Sequence, residues 1–69
     1  MTQKELAYTE DAIGHEENII KILEVSLEKL EDDKLVDFIQ DEMSIHQDRK
    51  EKLMNKLEEN TNEWWINNE

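Results

Sequence analysis

Two stretches of helical periodicity, with almost nothing to interrupt them, constrain the fold of this chain more than any other feature. Apolar residues recur every three or four positions over residues 3–30 and again over residues 33–58. This spacing places them on one face of an α-helix. The chain of 69 residues has no proline and one glycine, so local breakers are nearly absent. The sequence therefore predicts two long α-helices.

The segment 31–34, Glu-Asp-Asp-Lys, separates the two predicted helices. It breaks the apolar pattern, and Asp32 or Asp33 is a suitable N-cap, because a short carboxylate accepts hydrogen bonds from the free N–H groups of a first helical turn. Each helix would be about 40 Å long. The predicted fold is all-α: an antiparallel two-helix hairpin over residues 1–60, followed by a polar tail at 61–69.

Three residues of the predicted helices have an expected environment. Gly14 falls in the middle of the first helix, where glycine costs about 1 kcal/mol relative to alanine. Either a close approach of the second helix compensates for that cost, or the first helix bends there. Tyr8 and Phe38 flank the apolar stripes, and we expect both side chains in the core.

A hairpin of this size leaves much of its apolar surface uncovered. A chain this short buries only about 60% of the surface that its unfolded state exposes. It contains no cysteine, which excludes disulfides and thiolate metal sites. Dimerisation into a four-helix bundle is the simplest way to cover the remaining apolar stripes. The predicted partner is therefore a second copy of the chain.

The formal net charge of −11, from 19 acidic and 8 basic residues, argues against two classes of function. Binding to nucleic-acid phosphates or to anionic membranes needs a cationic surface, so neither partner is expected. The chain has no long apolar run and its start lacks the apolar segment of a signal peptide, which favours a cytoplasmic location. Two interpretations of the charge remain: a solvated exterior that keeps a small oligomer soluble, and attraction to a basic protein.

Two polar residues interrupt the apolar rows, one on each predicted helix. Glu16 continues a row of leucines, and His46 has an apolar residue one heptad away on either side. If the chain reverses near residue 31, antiparallel partners have numbers that sum to about 62, which places Glu16 opposite His46. Arg49 follows one turn later on an adjoining face. Because unpaired burial of a carboxylate or an imidazole is costly, we expect Glu16 and His46 to be in contact.

This polar layer, defined as Glu16, His46 and Arg49, has two interpretations. In the first, Glu16 and His46 bind a metal, as inward-facing glutamates and histidines do in carboxylate-bridged di-iron bundles. Glu42, four residues before His46, is a weaker ligand candidate. In the second, a buried Glu16–His46 hydrogen bond, joined by Arg49 as an ion pair, specifies register and dimer orientation. His15 points about 100° away from Glu16 on a helix and is expected to be exposed.

Residues 5–57 resemble the ferritin-like superfamily, in its half-size rubrerythrin-like and spore-coat-like helical hairpins. Such hairpins have the pattern E-D-x-x-x-x-E-E-x-x-I on the first helix, present here as EDAIGHEENII, and a ligand pair on the second. The resemblance implies that Glu16 takes the place of the first-helix ligand and His46 that of the first ligand on the second helix. Arg49 then takes the place of the second ligand, which is normally histidine.

Arg49 departs from the family's pattern, because a guanidinium stays protonated and has no lone pair for a metal. The resemblance therefore implies a structural or interaction protein of the spore-coat type, without enzymatic activity or cofactor, whose metal site has become a salt-bridge layer. One alternative is an iron-binding, oxidase-like dimeric bundle with Glu16 and His46 as ligands. Another is an acidic inhibitor, or DNA mimic, that binds a basic protein.

Trp64 and Trp65 are the only two tryptophans, and they are adjacent in the polar tail. Two interpretations stay open for this pair. They pack against the end of a second subunit's hairpin, or they dock another protein, since tryptophan is enriched among interface hot spots.

Overall fold

Two α-helices account for nearly the whole chain. The computed structural model describes the backbone of residues 1–67 and the side chains of residues 1–60. Within these bounds α1 (Gln3–Lys29) is followed by α2 (Asp33–Asn67), and there is no strand. The helices pack along their lengths in a hairpin whose principal extents are 55 × 15 × 13 Å. The predicted helical hairpin is confirmed.

Contacts between the helices establish an antiparallel pairing. At the open end, the amino group of Met1 donates to Oδ1 of Asn60 over 3.4 Å. Midway along the hairpin, Glu16 contacts His46. Both pairs have residue numbers that sum to within one of the value predicted from a turn near residue 31.

The N-terminus of α1 is closed by a capping box. The Thr2 hydroxyl accepts a hydrogen bond from the Glu5 N–H over 3.1 Å, and the Thr2 N–H donates to the Glu5 carboxylate over 3.0 Å. Two donors that have no partner inside the helix are thereby satisfied. The hydrogen bond from the Thr2 backbone, and then that with the Thr2 side chain, lowers the pKa of Glu5, because both favour the charged carboxylate.

Three residues, Leu30 to Asp32, connect the helices. Leu30 leaves α1 in an extended conformation, and its N–H still donates to the Ser26 carbonyl over 3.1 Å. Asp32 is the N-cap of α2: its carboxylate accepts from the Leu35 N–H over 3.0 Å, and its carbonyl accepts from the Val36 N–H over 2.9 Å. Of the two cap candidates in the sequence, Asp32 has this role. The tight connection is what brings the apolar stripes of the two helices face to face.

The core between the helices is thin. Among the residues with described side chains, Ile20 alone is buried, with 9% of its surface exposed. The other apolar residues of the interface are only half-buried: Ile13, Leu23, Leu27, Val36, Ile39, Met43, Leu53 and Leu57. Two helices cover each other along one stripe only, so most of each helix still faces water.

Two expectations about side-chain environment are wrong. Tyr8 is 66% exposed and Phe38 is 58% exposed, because both lie on rows that point away from the facing helix. Of the two alternatives for Gly14, the close approach of the second helix is excluded, because a Cβ added there would meet no described atom within 4 Å. This glycine therefore has no packing role within the hairpin.

The end of the second helix differs from its predicted place near residue 58, since α2 continues to Asn67. The asparagines and threonine of residues 60–62 are weak helix formers, each costing a fraction of a kcal/mol. No proline or glycine follows them, and extending an existing helix is far easier than starting one. Over their described residues, neither helix has an apolar segment suited to crossing a membrane.

Candidate functional site

The candidate site is the polar layer at the middle of the interface between the helices. Nδ1 of His46 lies 2.5 Å from a carboxylate oxygen of Glu16, and the two side chains are each 15% exposed. Against an ionised carboxylate, which can only accept, Nδ1 of His46 is the donor. The antiparallel pairing read from the sequence predicts this contact, and the structure brings the two residues together.

A second carboxylate approaches the same imidazole from within α2. Glu42, one helical turn before His46, places an oxygen 3.8 Å from Nε2. That distance is too long for a hydrogen bond but short enough for electrostatic attraction to a protonated ring. His46 therefore lies between two carboxylates, one from each helix. Glu42 is more exposed than the other two side chains, at 36%.

The positive charge near this layer comes from a different residue than the sequence predicts. Arg49 is exposed, and within residues 1–60 it forms no ion pair with Glu16 or His46. It lies three residues after His46, and its side chain reaches the side of the hairpin instead of the interface. Lys50 is half-buried in the interface, with its amine 3.9 Å from Glu17. The predicted ion pair of Arg49 with Glu16 is therefore corrected.

Sequence reasoning gave no role to Lys50, although a signal for it was present. Lys50 interrupts an apolar row of α2, with Met43 seven residues before it and Leu57 seven residues after it. His46 interrupts the neighbouring row in the same way. A lysine escapes notice in such a row because its long apolar stem packs against the interface while the amine reaches solvent.

The donor atoms of this layer do not fit a di-iron centre within one hairpin. Glu16 and His46 bond directly to each other, so their donor atoms are not directed to a shared point. Over the part of the chain with described side chains, no group of three histidine, aspartate or glutamate residues is arranged to hold a metal ion. His15 is exposed, as expected. Trp64 and Trp65 lie outside the residues whose side chains are described.

The two sides of the hairpin, left and right of the interface, differ in chemistry. The side marked by the Lys50–Glu17 ion pair is here called the acidic flank. Its helical positions include two basic residues, Lys21 and Lys50, and these exposed acidic residues: Glu10, Glu17, Glu24, Glu28, Asp33, Asp37, Glu51 and Glu58.

The opposite side, marked by the approach of Glu42 to His46, is called the apolar flank. Its aliphatic and aromatic residues nearest the turn are Ile19, Ile22, Leu35, Phe38 and Ile45. Its helical positions carry five acidic and six basic residues: Glu5, Asp11, Asp41, Glu42, Glu59, Lys4, Lys29, Lys34, Arg49, Lys52 and Lys56. The strongly negative charge of the chain is therefore absent from this side.

Comparisons of the chain with protein-family models, with curated proteins and with solved structures found no match.

Proposed function

We propose that this chain is a small structural or protein-interaction module, similar to ferritin-like hairpins of the spore-coat type, whose polar layer specifies helix register and holds no metal centre. The single observation that supports this function most is the direct hydrogen bond between Glu16 and His46. In a working metal site those atoms would be turned toward the ion. Here they satisfy each other, and Arg49 stands where the resemblance calls for a further ligand.

The polar layer makes one register of the two helices more stable than the others. Sliding α2 by seven residues, about 10.5 Å along the axis, would keep most apolar residues against apolar residues. It would also place Glu16 against Ile39 or Leu53 and leave His46 without its carboxylate. Leaving such groups buried and unpaired is costly. The pair therefore selects a register that the apolar rows alone do not select.

The module functions as a homodimer in the cytoplasm. A hairpin in which Ile20 alone is buried among residues 1–60 has too little core to be stable without a partner. A second hairpin adds a second apolar layer and completes a four-helix bundle. Such a bundle presents rigid helical surfaces to other proteins.

Metal analysis separates this function from its rival, an iron-binding oxidase-like dimer. The protein is purified without an affinity tag, and its iron content is measured for the wild type, Glu16→Ala and Glu17→Ala. We expect less than about one iron per ten chains. We also expect a chelator to leave the melting temperature unchanged, because a metal bound only to the native state would raise that temperature and its removal would lower it. Iron at one or two ions per dimer, lost in Glu16→Ala and kept in Glu17→Ala, would establish the rival function.

An acidic inhibitor that binds a basic protein is a further candidate, favoured by the concentration of carboxylates on the acidic flank. Its affinity would depend steeply on salt, because exposed charges are screened within about 10 Å at 0.1 M ionic strength. A pull-down repeated at 0.05 and 0.5 M salt tests it. A captured basic protein released at the higher salt supports the inhibitor, and capture that ignores salt contradicts it.

A further inference from the structure

We propose that the apolar flank is the surface through which two copies of this chain pack into a four-helix bundle, with the acidic flank of each copy left in water. The inference rests on the homodimer of the proposed function and identifies its interface.

Large side chains are exposed on this flank in a group. Ile22 is 65% exposed, Phe38 58%, Leu35 51% and Ile45 43%. All four lie in the half of the hairpin nearest the turn, Ile22 on α1 and the other three on α2. Single exposed apolar residues are ordinary on protein surfaces, but a contiguous set of them marks an interaction site. On the acidic flank, the described large apolar residues that are exposed are more scattered along the hairpin: Leu6 at 37%, Val25 at 45% and Met54 at 49%.

The charge distribution favours a second copy as the occupant. In a two-fold dimer the same surface faces itself, so any net charge on it is repelled by an identical charge. A chain with a net charge of −11 has few surfaces that tolerate this. The apolar flank is one, because its six basic residues balance its five acidic ones. The acidic flank is not, since its eight carboxylates are accompanied by only two basic residues, Lys21 and Lys50.

The thin core supports the same occupant. Ile19 is already half-buried at the edge of the flank, and a second hairpin packed there would enclose it together with its exposed neighbours. Closure by another copy supplies both hairpins with the missing layer at once. The result is a bundle in which each helix contacts two others, as in known four-helix bundles.

The heights of the apolar residues along the hairpin indicate the orientation of the two copies. Counted from the turn at residue 31, Ile22 and Phe38 lie nine and seven residues away. Ile19 and Ile45 lie twelve and fourteen residues away. A two-fold axis parallel to the hairpin leaves each residue at the same distance from the turn in both copies. α1 of one copy then packs on α2 of the other, with Phe38 against Ile22. All adjacent helices are then antiparallel, the arrangement that helix dipoles favour.

The interface is tested by sedimentation equilibrium of the full chain between 1 and 300 µM. The variant is Phe38→Glu on the apolar flank, and the matched control is Gln40→Glu, an exposed position on the acidic flank two residues away. We expect the wild type to form a dimer. Its dissociation constant should rise at least 100-fold in Phe38→Glu and change by no more than threefold in Gln40→Glu. A wild-type monomer at 300 µM, or equal effects of the two substitutions, would overturn the proposal.

The orientation is tested with a label at the end of the hairpin far from the apolar group near the turn. A spin label on Lys4→Cys, at an exposed position near the open end, reports the distance between open ends in the dimer. The proposed arrangement places the labels about 20–30 Å apart, two to three helix spacings. A distance near the 55 Å length of the hairpin would mean that the copies run in opposite directions. This readout also holds if Phe38→Glu fails to fold.

These results are independent of the metal test. Iron in the wild-type protein would overturn the proposed function and leave the position of the interface unchanged. Equal effects of Phe38→Glu and Gln40→Glu in an iron-free dimer would overturn the interface and leave the role of the polar layer intact.

Discussion

The two flanks of the hairpin are built from the same two helices and have the same length, yet they have opposite chemistry. On the acidic flank, carboxylates recur at nearly every heptad, and each is solvated. On the apolar flank, isoleucine, leucine and phenylalanine occupy the corresponding positions nearest the turn, and the charges balance. A difference of this kind is hard to explain by solubility alone, which acidic residues on both sides would serve equally well. It supports the proposal that two copies meet through the apolar flank while the acidic flank stays in water.

The largest expected effect comes from placing a carboxylate on the apolar flank. Ile22→Glu should lower the melting temperature by about 10–20 °C and remove its dependence on protein concentration, because each dimer loses two buried isoleucines. Lys21→Glu changes the charge by twice as much on the acidic flank and should alter the melting temperature by no more than about 3 °C. Thermal denaturation at 5 and 200 µM measures both. Equal decreases in melting temperature in the two variants would show that the two flanks do not differ in their contribution to the dimer.

The next effect tests the boundary between the flanks, where Glu16 bonds to His46. Glu16→Ala leaves the largely buried imidazole without its acceptor and should cost about 1–3 kcal/mol. Glu17→Ala removes an exposed carboxylate from the acidic flank and should cost less than about 1 kcal/mol. Denaturant unfolding gives both values. Equal costs would show that the polar layer contributes no more than a surface ion pair.

Replacing the pair together separates stability from register. The double variant Glu16→Leu with His46→Leu should be about as stable as the wild type, since apolar residues often replace a buried polar pair without loss. It should also populate more than one helix register, visible as extra amide resonances by NMR. A single set of sharp resonances from the double variant would show that Glu16 and His46 are not needed to specify the helix register.

The hairpin and the Glu16–His46 contact were predictable because both follow from local rules. Periodicity gives the two helices, an acidic N-cap gives the turn, and the turn position alone pairs residue 16 with residue 46. The extension of α2 to Asn67 was not predictable from weak helix formers, because propensity differences of a few tenths of a kcal/mol do not stop an established helix.

Arg49 and Phe38 show where the sequence was insufficient. Both were expected in the interface between the helices because they lie near an apolar row. Successive side chains on a helix are rotated by about 100°, so a residue next to such a row can point to either flank. Small errors in the centre of the facing stripe therefore move a residue from the interface to the side. The structure assigns that centre through the Glu16–His46 contact, and both residues then fall outside it.

A smaller effect belongs to Gly14, whose position lies on the acidic flank. Gly14→Ala should stabilise the protein by about 1 kcal/mol, because alanine restricts the unfolded chain and its Cβ would meet no described atom within 4 Å. Ala7→Gly, at an exposed position one heptad earlier on the same flank, should destabilise by a similar amount. Denaturant unfolding measures both. If Gly14→Ala destabilised the protein, a partner chain would have to pack closely on the acidic flank, which would contradict the proposal that this flank is exposed to solvent.

The smallest effect concerns Glu5, at the far end of the apolar flank, where the capping box lowers its pKa below the ordinary value of 4.5. A carboxylate with a lowered folded pKa binds its proton more weakly in the native state than in the unfolded state. Its stabilising contribution is therefore complete above about pH 4.5 and is lost as the pH falls through the lowered folded value. The melting-temperature difference between the wild type and Glu5→Gln should be positive at pH 7 and shrink below pH 4. Glu10→Gln, a carboxylate outside the capping box, should show no such trend. A difference that stayed constant down to pH 2.5 would mean that the charge of Glu5 does not act through the cap.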